Sequence, residues 1–322
     1  MEKFYSRKII INKEQNLFRL DQALAKLSNF TRSQIKILIT NGNIKNNEQI
    51  AKDASYRVKE GEKYILNLTI PREEKFEAEN IPLEIIYEDE DIIIINKKAG
   101  MVTHPAPGHL NGTLVNALLN HTNKKLSSVN ESNRPGIVHR LDKETSGLMV
   151  IAKNNESHVN LADQFKNHSI SRKYKAIVWG MPKKQTIEGH IERHKINRKK
   201  MSLNKHEKGK YSKTHIKLIR AYEVASLVEC KLETGRTHQV RLHMTSINCP
   251  LIGDKIYGKS KVNQFGKNKE TFNKFLILKN FSRHALHAFH LGLKHPKSNE
   301  YLEFNNNLPQ DMENLLNLMI KY

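Results

Sequence analysis

Cysteine is nearly absent from this chain of 322 residues: Cys230 and Cys249 are the whole complement. Two thiols exclude a disulfide framework and a cysteine-built zinc cluster, and they suit structural roles in a reducing cytoplasm. No apolar run is long enough to span a bilayer, and no basic amphipathic stretch carries a strong apolar face. The N-terminus, MEKFYSRKIIINKEQN, has no apolar segment followed by a small-residue cleavage site, so no secretory signal is read there. The glycines spell neither a dinucleotide fingerprint nor a P-loop, which removes nucleotide-dependent chemistry, and no repeat of solenoid type is present. Acidic residues are scarce as well. Against 33 Asp plus Glu stand 54 Lys plus Arg, a formal charge of +21 and a pI near 9.8. Such an excess calls for a polyanion, and without a membrane-binding feature that polyanion is nucleic acid. Hydrophobic residues make up 38%, enough to bury a sizeable core, so the charge does not signal disorder.

What is present divides the chain in two. FRLDQALAKL places Leu20, Leu24 and Leu27 on one helical face, and TRSQIKILIT repeats the pattern with Ile35, Leu38 and Ile39. Thr31 is the expected N-cap of the second helix and Asn41-Gly42 its stop. GNIKNNEQI and EGEKYILNLTI then read as strands of a small sheet closing near Ile70. Residues 71–80, PREEKFEAEN, are charged and without apolar periodicity, which predicts a solvated linker between a domain of residues 1–70 and one of 81–322. In the second domain Ile92 to Ile95 form a buried strand. GLMVIAK, YKAIVWG, THIKLI, VASLVECKLE and EYLEF are further strands, and VNALLNH, ESHVNLADQF and QDMENLLNLMI are helices. Strand and helix do not alternate regularly, so the expected class is α+β with a mixed, largely antiparallel sheet.

Two basic segments interrupt this domain. From Arg193 to Lys217 there are ten Lys or Arg and one acid, Glu207, and GKSKVNQFGKNKETFNKF from Gly258 is similar but weaker. Charge runs are usually solvated loops, but the overall excess of cations turns the reading of the first toward RNA contact; the second reads equally as a surface insertion.

The densest group of polar residues is GIVHRLDKETSGLMVIAK, residues 136–153. Asp142 lies on a short connection between Arg140 and Lys143. Flanking cations keep a carboxylate ionised, as a nucleophile must be; the same residues also suit a turn held by salt bridges, with a cap at Thr145 or Ser146.

HRLDKETSGLMVIAK resembles, almost residue for residue, the central motif of the RluA/RluD family of pseudouridine synthases. SRKYKAIVWG is similar to that family's second motif and LETGRTHQVRLHM to its third. NKKAGMVTHPAPGHLNGTLVNALL, PLIGDKIYG and RHALHAFHLGLKHP are family-like too. FRLDQALAK with TRSQIKILITNGNIKNN resembles the S4 RNA-binding domain, with a departure at Ile44-Lys-Asn-Asn47, where valine, asparagine and glycine are common. The S4-plus-catalytic arrangement and the HPAPGH segment point to the RluD type, which acts on large-subunit ribosomal RNA.

The resemblance implies an isomerase that needs no cofactor and no metal, since uridine and pseudouridine differ only in which base atom joins C1′. Asp142 is then the catalytic carboxylate, acting at C1′, at C6 of the base, or on the C2′ proton. Arg241 is its charge partner and Tyr174 the aromatic face and hydroxyl beside the base. Arg140 is suited to fill the gap left in the RNA when uridine flips out. Arg236 and His139 join it on the RNA-binding side, and in the S4-like unit Arg32, Ser33 and Lys36 at a helix N-terminus face phosphate. The implied partner is large-subunit ribosomal RNA or a ribosomal subunit precursor, in the cytoplasm, with no membrane and no obligatory protein partner. Within the family a different ribosomal or transfer RNA target is the runner-up, and two other classes compete. A non-catalytic RNA-binding assembly factor would have lost the aspartate, tyrosine or arginine, and a glycosidic hydrolase would pair Asp142 with a second acid such as Glu144. His139, His238 and His243 form no metal-ligand pattern.

Overall fold

The computed structural model describes residues 4–28, 30–47, 49–69, 76–105, 109–123, 125–128, 134–197, 200–204, 207–258 and 275–321. Nearly all of the second basic segment, the Ala106 to Gly108 part of HPAPGH and residues 71–75 of the expected linker lie outside the described residues. Two compact units divide at Lys75 and Phe76.

In the first unit, strands β1 (Phe4–Ile10), β2 (Ile44–Asn46), β3 (Gln49–Ile50) and β4 (Lys63–Thr69) pair antiparallel in the order β1-β4-β2-β3. Helices α1 (Leu20–Leu27) and α2 (Arg32–Thr40) pack beside them, because their apolar stripes bury Leu20, Leu24, Ile35 and Ile39 with Ile44, Tyr64 and Leu66. Thr31 caps α2 reciprocally: Gln34 N–H donates to Thr31 Oγ1 at 3.3 Å and Thr31 N–H to Gln34 Oε1 at 2.7 Å. At the departure from the S4 pattern, Asn47 takes the left-handed conformation, φ 44°, that glycine otherwise supplies, and asparagine tolerates it.

The second unit is a ten-stranded sheet with helices against it. Its strands are β5 (Ile85–Glu88), β6 (Ile92–Lys97), β7 (Ser146–Ala152), β8 (Ser171–Trp179), β9 (Gln185–Arg193), β10 (Met201–Asn204), β11 (Lys210–Ala221), β12 (Ala225–Leu232), β13 (Leu286–Lys294) and β14 (Tyr301–Asn305). The order is β10-β9-β11-β12-β8-β13-β7-β6-β5, with β14 also beside β13. Among the described strand-to-strand ladders of this sheet only β13 with β7 is parallel. Both faces of the central strands are buried. Ile93 and Ile95 enter one core with Met149, Ile151 and Tyr174, while Ile92 and Ile94 enter another with Leu148 and Val150. This is why β6 reads as an unbroken isoleucine run.

Strand β13 forks the sheet. His287 and Ala288 pair with Ser146 and Gly147 at the start of β7, whereas His290 to Lys294 pair with β14 after a register shift. At the fork Gly147 has φ 122°, and a Cβ there would collide with the backbone of Ala288, so only glycine lets β7 begin so close to β13. The segment that delivers Asp142 runs directly into this junction.

The sequence-based boundary needs one correction. Phe76 and Ala78 pack on the second unit's core, and Asn116 in helix α3 (Leu114–His121) donates to Glu77 O at 2.8 Å and accepts Glu79 N–H at its own carbonyl, 3.0 Å. Residues 76–80 are thus part of the second unit; alternating Phe76 and Ala78 are too few to register as a pattern amid the charges.

Candidate active site

Asp142 is held by its backbone. Thr103 Oγ1 donates to Leu141 O at 3.0 Å and Thr145 N–H to Asp142 O at 3.0 Å; Gly100 N–H and Lys97 Nζ donate to Lys143 O at 2.9 and 3.2 Å, and Arg283 Nη1 donates to Glu144 O at 3.1 Å. Four successive carbonyls thus have donors, which fixes a connection that has no secondary structure of its own. Lys97 is 1% exposed and also donates to Lys98 O and Met101 O, both at 2.9 Å. Burial pulls its pKa down to about 7, while Asp142, Glu144 and the ring of carbonyls favour its ammonium.

The side chain of Asp142, 18% exposed, meets one guanidinium. Arg241 Nη1 donates to Asp142 Oδ2 at 2.9 Å. Arg241 rides on helix α5 (Gln239–Ser246) and is gripped from behind by Asp254, whose Oδ2 and Oδ1 accept from Nε and Nη2 at 2.7 and 3.0 Å. Asp254 Oδ1 accepts in addition from the N–H groups of Ile256 and Tyr257 at 2.9 and 3.0 Å, and the Tyr257 ring lies under the guanidinium at 5.0 Å. Arg241 therefore cannot swing, and neither can the carboxylate it holds. Among the described residues no donor approaches Oδ1 of Asp142. One oxygen is tied, the other carries no hydrogen bond among the described residues, and the side chain lines the cleft.

Electrostatics agree with an ionised Asp142. Burial pushes its carboxyl upward, but His238, Arg241 and His284 together outweigh it and hold the group below the usual carboxylate range. Burial also lowers both imidazoles, His284 to about 4, so near neutral pH they are uncharged and the permanent cation of Arg241 is the effective partner. Arg241 is the partner that the family resemblance implied, and the flanking cations Arg140 and Lys143 do not share that role. Lys143 contributes its carbonyl and Arg140 is exposed at the rim, because residues adjacent in sequence on an extended segment point apart.

Tyr174 and Arg172 leave the same face of β8, two residues apart, and line the cleft with Asp142. Burial, with Asp142 adding and Arg172 opposing, raises the tyrosine's pKa, so it enters as a neutral phenol. Arg140, Asp142, Tyr174, Arg236 and Arg241 all line one hollow of about 360 Å³, with Thr145, Leu232, His238 and Leu286. A second, larger hollow shares Arg140, Asp142, Tyr174 and Arg236 and adds Lys166, His168 and Arg172, so Asp142 is the one acid on a basic wall. Glu144 lines neither, which leaves a two-carboxylate hydrolysis without its second acid among the described residues.

His139 belongs elsewhere. Its Nε2 accepts from Val150 N–H at 3.1 Å and its ring stacks on Phe165 at 4.7 Å, while burial and then Arg172 push its pKa down to about 3. It borders the larger hollow, but as a neutral wedge between β7 and helix α4 (Asn155–Lys166) rather than as a cation offered to RNA. Arg236 is anchored by Nε donating to Tyr211 O at 2.9 Å, which ties it to the first basic segment. That segment folds as β10 and the start of β11, with residues 198, 199, 205 and 206 not described. In the first unit Arg32 and Lys36 stand 2.9 and 3.6 Å from Oδ2 of Asp21, a carboxylate with no exposure that also takes Arg19 at 3.2 Å. Ser33 is exposed beside them.

Two acids at these positions went unread in the sequence. Asp254 and Asp21 sit in segments quoted for other reasons, PLIGDKIYG and FRLDQALAK, and nothing in a one-dimensional pattern tells a buried ion-pair acid from a surface one.

Comparisons with known proteins bear on the whole chain. Residues 91–246 match the family model for RNA pseudouridylate synthase and residues 18–63 that of the S4 domain. A ribosomal large subunit pseudouridine synthase D from Zymomonas mobilis is 42% identical over 98% of either chain, and one from Escherichia coli is 39% identical over 94% of this chain and 90% of its own. The solved structure of human RNA Pseudouridylate Synthase Domain Containing 4, 22% identical, covers 74% of this chain and 93% of its own with a TM-score of 0.54, a likeness of fold.

Proposed function

The chain belongs to the RNA pseudouridylate synthase family, and from that premise we propose that it isomerises specific uridines of large-subunit ribosomal RNA with Asp142 as the reacting carboxylate. The observation that carries the reading is the asymmetry of Asp142: Oδ2 is bound by Arg241, Oδ1 has no partner among the described residues, and the side chain lines a basic cleft beside a buried tyrosine. The reaction breaks the bond from C1′ to N1, turns the base, joins C1′ to C5 and moves the C5 proton away while N1 gains one. Atoms and electrons balance without a redox partner. Arg140 at the rim holds the place of the flipped uridine, Tyr174 lies against its base, and Arg236 meets the flanking backbone. The two bacterial relatives, both ribosomal large subunit pseudouridine synthases by name, support the large ribosomal subunit as the source of the substrate. Cytoplasm is the matching compartment; no helix among the described residues is long and apolar enough to cross a membrane.

Pseudouridine mapping across ribosomal RNA from cells with and without the protein tests this. Loss of modification at particular large-subunit positions is the expected result; an unchanged map there, with loss in another RNA class, would move the substrate.

The S4 unit is the general RNA grip in this reading, with Arg32, Ser33 and Lys36 toward phosphate. Asp21 pre-orients the two cations, which lowers the entropy cost of their contact. Removing residues 1–75 is expected to weaken binding to structured ribosomal RNA and to flatten its salt dependence, each lost phosphate contact removing about 0.9 from the log-log slope on duplex. Binding titrations from low to high salt measure this. An unchanged slope would assign the unit to something other than RNA.

A further inference from the structure

His238 opens helix α5 in an unusual way and has no part in the chemistry so far. It occupies the left-handed region, φ 59° and ψ 18°, as the N-cap of α5 yet makes no side-chain cap hydrogen bond. Instead its ring is turned toward Asp142 and Tyr257. Met201 N–H donates to Tyr257 Oη at 2.8 Å, and that hydroxyl stands 2.8 Å from His238 Nδ1. The phenol oxygen that receives the backbone proton is free to give its own to Nδ1, and in that tautomer the imidazole proton sits on Nε2. Nε2 lies 3.8 Å from Oδ2 of Asp142, the oxygen already held by Arg241. The ring is uncharged near neutral pH: burial lowers it, with Arg241 and Arg140 acting the same way and Asp142 and Asp254 opposing.

We propose that His238 is a positioning residue for the isomerisation: its Nε2–H, set by Tyr257 and the Met201 backbone, closes onto Oδ2 of Asp142 when RNA fills the cleft, so Oδ2 is held from two sides and Oδ1 is left to react. Hydrogen bonds at catalytic sites are commonly long before substrate binds and tighten with it, and the contact needs to shorten by under about 1 Å. The proposal rests on Asp142 being the reacting carboxylate.

Its test uses two substitutions that separate the ring's donor from the backbone's conformation. His238→Gln puts an N–H near the place of Nε2, whereas His238→Asn puts its polar atoms at the place of Nδ1 but suits the left-handed backbone better. Pseudouridine formation on a large-subunit transcript is followed for both full-length variants, alongside RNA affinity, thermal melting and Asp142→Asn. The expected result is a fall in kcat on the order of tenfold for His238→Asn, the worth of one hydrogen bond to a charged group, with KM and RNA affinity unchanged, and recovery to within about threefold of the parent for His238→Gln. Equal or better activity of His238→Asn would show that only the turn matters and overturn the proposal, as would a loss confined to KM. If neither variant folds, Tyr257→Phe keeps both rings and frees the tautomer; a severalfold lower kcat is expected there, and parental kcat overturns the proposal. An active Asp142→Asn sinks the underlying assignment instead, so the two failures are told apart.

Discussion

Asp142→Asn is expected to abolish pseudouridine formation, lowering the single-turnover rate by about four orders of magnitude, while RNA affinity and thermal stability stay near those of the parent. The amide is isosteric with the carboxylate and its oxygen can still accept from Arg241, so the connection fixed by Thr103, Lys97, Gly100 and Arg283 is not disturbed. Arg241 also retains its two bonds to Asp254 and is not left as an unpaired buried charge. What disappears is the negative charge of the Asp142 side chain in the cleft. Rate and affinity measured on one RNA preparation separate these effects, and near-parental turnover would mean that another group does the chemistry.

A second large effect is expected one step behind the reacting group. Asp254→Asn should lower kcat by about a hundredfold without changing RNA affinity, because a misplacement of reacting groups of about 1 Å costs that much and Asp254, 4% exposed, has no surface to offer RNA. The carboxylate takes four donors, two from Arg241 and two from the backbone of Ile256 and Tyr257. An amide offers one oxygen in place of two and turns N–H groups against a guanidinium. Arg241 keeps Asp142 as a partner, so the cost in stability is that of buried donors left unsatisfied, about 1–3 kcal/mol. The pH dependence follows from the sign of the shift. Burial raises the pKa of Asp254, but Arg241 and the two backbone donors outweigh it and hold it below the usual range. A carboxylate depressed in the folded state contributes stability that is present above the unfolded value and lost as pH falls through the folded one. The melting difference between parent and Asp254→Asn is therefore expected to be full at pH 7 and to shrink in acid below the ordinary carboxylate range. A difference that does not shrink would show that the loss is steric rather than ionic.

How much of this was legible in the sequence depends on the kind of signal each feature leaves. The helices of the first unit were readable, since each hides one stripe and shows the other to water, and Thr31 announces its cap. The isoleucine run of β6 was readable as a strand buried on both faces. Helix α5 was not, because residues 239–244 are all buried and no periodicity survives, and because it starts from a left-handed residue rather than from a capping side chain. Strand β1 was missed at a chain terminus where RKIII lacks turn signals on its N-terminal side, and β10 was hidden among lysines at the edge of the sheet, where charge discourages pairing with other chains. Asp142, Tyr174, Arg140, Arg236 and Arg241 were picked out by their motifs and converge on one cleft. Asp254 and His238 share that site but carry meaning only through distances. His139 was misplaced for the converse reason: its position beside Arg140 suggested RNA, whereas its ring is occupied with Val150 and Phe165.

The central claim, that this cleft isomerises uridine rather than cleaving or merely binding RNA, is tested most directly by tritium release. Large-subunit ribosomal RNA labelled with tritium at C5 of uridine is incubated with the full-length protein, and released tritium, pseudouridine and free uracil are counted from the same tube. Joining C1′ to C5 expels the label, so one tritium per pseudouridine formed, with intact RNA and no uracil, is the predicted result. Free uracil without pseudouridine, or tight RNA binding with no release on RNA that carries unmodified target sites, would contradict it.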